Sequence, residues 1–291
     1  MVERTLARRA ARAGFDALER LDAATGFSRL YPDESNAILA YHAVGRPAGY
    51  GNVSVERFRR DVAHVTKHFE AVDLPAVLES SGGKRVAFTF DDALDDFYEH
   101  ALPVLREYRV PATLFVPVDF VGGGPDGYAY RFSESPAERA SFNDPAAFAD
   151  ESFPDPAVMS WDRLREVAAD PLVTVGTHTR THVDLGRVRD AETLDREIVG
   201  ARDELEARLG VDVDRFCYPF GRYTEEAVEV VRGSHAMAVT SRPGVVGGTG
   251  RTRTETEVDR YRLPRVRAHE DERRVRWDLS GLRWRLTEYL G

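Results

Sequence analysis

Seven apolar runs punctuate the chain, and each is nearly continuous rather than alternating. They read AILAYHAV (37–44), RVAFTF (85–90), ATLFVPV (112–118), LVTVGTH (172–178), RFCYPF (215–220), MAVTS (237–241) and YRLPRV (261–266). A run without a polar face suits a strand covered on both sides, as in a parallel sheet or barrel. Amphipathic stretches lie between them. SVERFRRDVAHVTKHF (54–69) opens on Ser54, a residue type that caps helix N-termini. LDDFYEHALPVLREY (94–108) and SWDRLREVAAD (160–170) follow. DAETLDREIVGARDELEARLG (190–210) has Asp190 at its start and Gly210 at its end, the expected punctuation of a helix. TEEAVEVVRG (224–233) also ends in Gly, and DERRVRWDLSGLRWRLTEYL (271–290) is expected to break at Gly281.

Strand and helix patterns alternate about seven times, which predicts an α/β fold of about seven mostly parallel strands, closed or nearly closed into a barrel. Functional side chains are then expected at the carboxyl ends of the strands. Two stretches break the rhythm. Residues 121–159 are rich in Gly, Pro, Asp and Ser and exceed an ordinary connection, so they are expected to form a long loop insertion, either a substrate-binding lid or an inert excursion. Residues 1–32 are expected to form an amphipathic helix and linker ahead of a single barrel domain, 33–291, because Leu6, Ala10, Phe15, Leu18 and Leu21 roughly follow a helical period.

Composition removes several classes of function. An apolar fraction of 42% with 31% charged residues reads as a soluble globular chain. A net charge of −9 disfavours a nucleic-acid partner. The single cysteine, Cys217, excludes an intrachain disulfide and a Cys-based zinc site. No apolar stretch is long enough for a transmembrane helix, and the N-terminal segment lacks the apolar centre of a signal peptide. The expected location is therefore cytoplasmic, with peripheral membrane contact through the N-terminal helix as the alternative.

The run 85–90 ends in two adjacent carboxylates, Asp91 and Asp92, and the run 172–178 leads into GTHTRTH, with His178 and His182 four positions apart. That spacing brings two imidazoles within reach of one ion. Two neutral imidazoles and one carboxylate make a three-ligand site that leaves positions open for water and substrate. The neighbouring carboxylate remains available to take a proton, which is the logic of metal-assisted hydrolysis. Each pair alone is ordinary: surface histidines on one side, acids at a helix start on the other. Both at strand ends of one βα-repeating chain are not.

TFDD, HTRTH and YPFG occur in this order, and together they resemble the motifs of the polysaccharide deacetylase (NodB-homology) family of metal-dependent carbohydrate esterases. ILAYHAV, PATLFV and MSWDRLREV extend the resemblance over roughly residues 37–268. It implies a distorted (β/α) barrel that hydrolyses carbon–nitrogen bonds, removing N-acetyl groups from an N-acetylhexosamine-containing glycan or sugar precursor. It implies a divalent metal, zinc first, with manganese, cobalt and iron open. Asp91 would be the general base, and Asp92, His178 and His182 the metal ligands. Tyr218, Pro219 and Phe220 would line the substrate groove, with the Phe220 N–H helping to hold the oxyanion.

Three positions depart from the family pattern. Ala93 follows the double Asp where Gly is usual. Cys217 stands where many members have an Arg that braces the catalytic Asp, and Arg265 is the candidate replacement. The late Leu-x-His motif that supplies a general acid is missing, which leaves His269 as the nearest candidate, and His42 at the end of the first strand as a residue that faces the site.

Other readings compete. The same site would serve a cyclic imide or amide, or a sugar O-acetyl ester. A non-catalytic carbohydrate-binding pseudoenzyme is the reading without chemistry, although Asp91, Asp92, His178 and His182 are all present. An aspartyl-phosphate phosphatase is disfavoured, because the acids are adjacent and the only lysines, Lys67 and Lys84, precede them.

Overall fold

The computed structural model describes residues 2–30, 35–45, 52–79, 83–122, 158–247 and 258–290. The described strands, in chain order, are β1 (Ala37–Tyr41), β2 (Glu70–Ala71), β3 (Arg85–Phe90), β4 (Ala112–Val116), β5 (Val173–Thr177), β6 (Arg215–Cys217), β7 (Met237–Pro243) and β8 (Leu263–Arg267). The described α-helices are α1 (Val2–Thr25), α2 (Val55–His68), α3 (Leu102–Tyr108), α4 (Trp161–Ala168), α5 (Ala191–Leu209), α6 (Glu225–Ser234), α7 (Glu272–Leu279) and α8 (Leu282–Leu290).

Seven strands close into a parallel barrel in the order β1-β8-β7-β6-β5-β4-β3, and β3 pairs back with β1. The closing ladder runs from Ala37↔Val86 to Tyr41↔Phe90. The two-residue β2 pairs with the start of β3 and was not visible as an apolar run. The barrel is distorted: β5 and β6 meet at Thr177↔Phe216, and β7 shifts register between Val239 and Pro243. The seven apolar runs are the seven barrel strands; β1, β3 and β4 are covered on both faces nearly throughout, whereas β7 ends in exposed positions.

The helices begin and end where capping chemistry places them. Ser54, Ser160, Asp190 and Thr224 each accept a backbone N–H in the first turn of α2, α4, α5 and α6. Gly210 ends α5 in the left-handed conformation, and Gly281 separates α7 from α8. Between barrel and helices, the Tyr41 ring stacks on Phe90 at 5.2 Å and meets Phe58 edge-on at 5.2 Å. Truncating such a buried ring costs about 3–5 kcal/mol. Alternation along β1 aims Tyr41 at this layer, so its neighbour His42 belongs to the opposite face.

Helix α1 packs on α7, and the Phe27 ring lies 5.9 Å from that of Trp277. No helix among the described residues is long and apolar enough to cross a membrane. Of the expected 121–159 loop, residues 123–157 lie outside the described residues. Its two ends meet at the turn after β3: Gly122 donates its N–H to Met159 at 2.9 Å, and Met159 donates to Ala93 at 3.0 Å.

Candidate active site

Parallel strands deliver their carboxyl ends to one rim, and five chain segments meet there. The turn after β3 carries Asp91 and Asp92, 2% and 0% exposed. Asp92 and Ala93 both take positive φ, 76° and 53°, which explains why a family position usually held by Gly needs a small residue. Left-handed non-glycine residues in sequence are costly, and such strain concentrates at functional turns.

His178 and His182 bracket the turn after β5. The Nδ1 of His178 lies 2.7 Å from the Cys217 carbonyl oxygen, which only accepts, so Nδ1 carries the proton and Nε2 presents a lone pair. That Nε2 stands 3.2 Å from Nε2 of His182 and 3.8 Å from Asp92 Oδ1. The Nε2 of His182 is 3.6 Å from the same oxygen. Ligands arranged tetrahedrally about 2.0–2.1 Å from a zinc ion are separated by about 3.3 Å, close to these three edges. Burial lowers the pKa of both imidazoles, and for His182 the neighbouring His178 lowers it further, so both are neutral, as metal ligands must be. The donor set therefore fits a divalent ion.

A second grouping, Asp91, His178 and Cys217, also converges. It fits an ion poorly. Both Asp91 oxygens accept from Arg265, at 2.8 and 2.7 Å. Burial pushes the Cys217 thiol well above its ordinary pKa. Cys217 is a small buried side chain beside the Arg265 guanidinium, 3.3 Å away.

The Arg265 guanidinium enters from β8, 3% exposed, and also donates to the Thr240 carbonyl at 2.8 Å and Thr89 Oγ1 at 3.1 Å. Burial pushes the Asp91 pKa up, but the charge and hydrogen bonds of Arg265 outweigh it. With smaller help from His178 and His42, they hold Asp91 well below the usual carboxylate range.

His42 follows β1, with its Nε2 3.7 Å from Asp91 Oδ2 and 3.9 Å from Asp92 Oδ2. Burial pulls its pKa down to about 4, against the opposing pull of Asp91. His269 is engaged elsewhere: its Nδ1 accepts the Asp271 N–H at 3.0 Å, and its charged neighbours are Arg274, Arg267, Asp271 and Glu270. The geometry thus brings His42, not His269, to the paired aspartates.

The loop after β6 is divided. Phe220 takes a left-handed conformation, φ 58°, and sets its ring edge-on to His182 at 4.8 Å. The next residue must be Gly: a Cβ on Gly221 would lie 2.6 Å from the Ser241 nitrogen. Pro219 is buried under this turn. The Tyr218 side chain is fully buried in a cluster with Phe216, Leu185, Leu194 and Ile198, so its ring belongs to the core rather than to a substrate groove.

Glu197 was not among the expected site residues. It stands on the buried stripe of α5 with Leu194, Ile198, Ala201 and Leu205, and its carboxylate accepts from Thr181 in the His178–His182 turn. A carboxylate in an apolar stripe is the signal that marks it in the sequence.

The sequence pattern described as polysaccharide deacetylase matches residues 79–236, more than half of the chain. A putative polysaccharide deacetylase of Bacillus subtilis, YxkH, is 24% identical over 55% of this chain and 46% of its own length. The poly-beta-1,6-N-acetyl-D-glucosamine N-deacetylase of Escherichia coli K12 is 24% identical over 51% of this chain and 21% of its own. The matched stretch thus spans less than half the length of these relatives. Among solved structures, the Streptococcus pyogenes deacetylase PplD, in complex with acetate, has a TM-score of 0.60 at 19% identity, covering 81% of this chain and 93% of that one. IcaB from Ammonifex degensii has a TM-score of 0.59 at 20% identity, covering 86% and 98%. The fold is shared with these proteins, and by its sequence the chain belongs to the polysaccharide deacetylase family.

Proposed function

We propose that the chain is a metal-dependent hydrolase that removes acetyl groups from N-acetylhexosamine units of a glycan or a sugar precursor. The observation that carries this reading is the convergence of Asp92, His178 and His182 beside a second carboxylate, Asp91, that Arg265 holds apart from them. The activity named for the Escherichia coli relative, deacetylation of an N-acetylglucosamine polymer, supports the substrate class.

Asp92, His178 and His182 are the residues that would hold the ion. When bound there, a divalent ion supplies Lewis acidity, which polarises an amide carbonyl and acidifies water. Asp91 is ionised at neutral pH and takes the proton of the attacking water as the C–O bond forms. The same ion pair makes Asp91 a weak holder of that proton. That proton passes from Asp91 through His42 Nε2, 3.7 Å from Asp91 Oδ2, to the amine as the C–N bond breaks. The turn at Phe220 offers its backbone N–H to the tetrahedral oxyanion. Products are acetate and a free amino sugar.

The test is acetate release from a panel of N-acetylated sugar oligomers, with zinc, manganese or cobalt added to chelator-treated protein. Metal-dependent release that disappears in Asp92→Ala supports the reading. Metal-loaded protein that releases no acetate from any N-acetylated sugar, but hydrolyses a sugar O-acetyl ester or a cyclic imide, overturns the substrate class.

A further inference from the structure

The turn from His178 to His182 is an improbable conformation for its sequence. Thr179 and His182 both have positive φ, 61° and 59°, and a β-branched threonine is strongly disfavoured there. Something must hold the turn, because relaxing either residue would swing an imidazole away from Asp92.

The backbone of the turn is tied on two sides. Towards β4 and the residues after it, His178 donates to the Val116 carbonyl at 2.9 Å. The Thr179 and Arg180 carbonyls accept from Val118 at 3.3 Å and Asp119 at 2.9 Å. Towards α5, the bonds converge on one residue. The Arg180 N–H donates to the Glu197 carbonyl at 3.0 Å. The Thr181 N–H and hydroxyl both donate to Glu197 Oε2, at 2.9 and 3.0 Å. Glu197 is 2% exposed, and its nearest cation among the described residues, Arg196, is 3.8 Å from the other oxygen, beyond hydrogen-bond reach.

Burying a carboxylate is costly unless its bonds compensate. Glutamate on an apolar helix stripe has a simpler replacement in leucine, so its presence calls for a role that leucine cannot fill. The bonds it makes are to the residue immediately before His182. We propose that Glu197 is a positioning residue for the metal site: its backbone and side chain clamp Arg180 and Thr181 in the strained turn that aims His182 at Asp92 and His178.

This inference rests on the metal set given under the proposed function. The experiment measures the zinc dissociation constant of the full chain, by competition with a chromogenic chelator, for wild type, Glu197→Gln, Glu197→Asp and Thr181→Val. Thermal melting in EDTA is recorded in parallel. Outer partners of metal ligands typically change affinity about 10–100-fold. Glu197→Asp, whose shorter arm withdraws from Thr181, is expected to weaken zinc binding by about that much. Glu197→Gln keeps an acceptor and is expected to fall between wild type and Asp. Thr181→Val, which removes one hydroxyl bond at an exposed side chain, is expected to weaken binding about 3–10-fold with little change in melting. Folded variants that all bind zinc within twofold of wild type would make Glu197 a fold stabiliser only and overturn the inference. Wild type that binds no zinc overturns the metal reading and the inference with it, so the two failures are distinguishable.

Discussion

Arg265 grips both oxygens of Asp91, at 2.8 and 2.7 Å, across 174 positions of sequence. Cys217 makes this possible. At the position where the family resemblance expects an arginine, a small buried side chain leaves room for a guanidinium arriving from β8. The fork keeps Asp91 ionised and fixes its plane, which a lysine point charge cannot do.

Arg265→Lys is therefore expected to lower kcat/KM about 10–100-fold while leaving zinc affinity near wild type. The pH profile gives the sharper readout. Asp91 must be ionised to take a proton, and Arg265 holds its pKa down. Weakening the pair raises that pKa, so the acidic limb of kcat/KM is expected to move to higher pH. An unmoved limb would mean that Arg265 does not tune Asp91.

Asp91 and His178 should separate chemistry from metal binding. Asp91→Asn leaves the three ligands in place, so it is expected to retain zinc and lose turnover by about 10²–10⁴-fold. His178→Ala removes one of three ligands and is expected to lose zinc at micromolar concentration, with activity partly restored by excess metal. Equilibrium dialysis and acetate release, run on the same preparations, distinguish the two.

His42→Gln tests the assignment of the proton donor. The imidazole sits 3.7 Å from Asp91 and 3.9 Å from Asp92 but is not needed to complete the ligand triangle. Loss of kcat by about 10²-fold or more, with zinc affinity and KM within a few-fold of wild type, is expected. His269→Gln, away from the aspartates, is expected to stay within a few-fold of wild type throughout. The reverse outcome would hand the role to His269.

The seven strands were legible because strands largely covered on both faces are nearly continuous apolar runs, and the helix limits because capping side chains are few. The ligand motifs were legible because they are local. What escaped depends on register and on contacts distant in sequence. Both His42 and His269 follow barrel strands, and only the closing pair Tyr41↔Phe90 sets His42 level with Asp91. Tyr218 belongs to a motif associated with the groove, yet its own ring is drawn into the core while Phe220 faces His182. The acid in the apolar stripe of α5 marks Glu197, but its partner Thr181 lies 16 positions away and no local pattern names it.

Ala93 is explained by backbone strain rather than by chemistry. A left-handed alanine costs about 1–2 kcal/mol, which glycine would relieve. Glycine in turn adds about 0.5–1 kcal/mol of unfolded-state entropy and removes a buried methyl worth about 0.8 kcal/mol. Ala93→Gly is therefore expected within about 1 kcal/mol of wild type in urea unfolding. Ala93→Val, β-branched at φ 53° and fully buried, is expected to lose at least about 2 kcal/mol. Equal midpoints for the two variants would show that the left-handed turn is not what restricts this position.

His235 gives a pH dependence that arises away from the aspartates. It is buried, with Nε2 2.9 Å from Thr177 Oγ1, Nδ1 2.8 Å from Ser234 Oγ and its ring 5.1 Å from that of Phe216. Burial first, and then the charge of Arg202, pull its pKa down to about 3. The folded state therefore keeps the ring neutral, while the unfolded chain takes up a proton below about pH 6.5. More protons bound in the unfolded state means that stability falls with falling pH. The contribution is intact above about pH 6.5 and is lost progressively towards pH 3. Between pH 7 and pH 5 it amounts to about 2 kcal/mol. His235→Gln, which cannot titrate, is expected to lose about that much less stability than wild type over this interval. Urea unfolding at the two pH values checks it. Parallel losses in the two proteins would show that His235 does not make the folded state sensitive to acid.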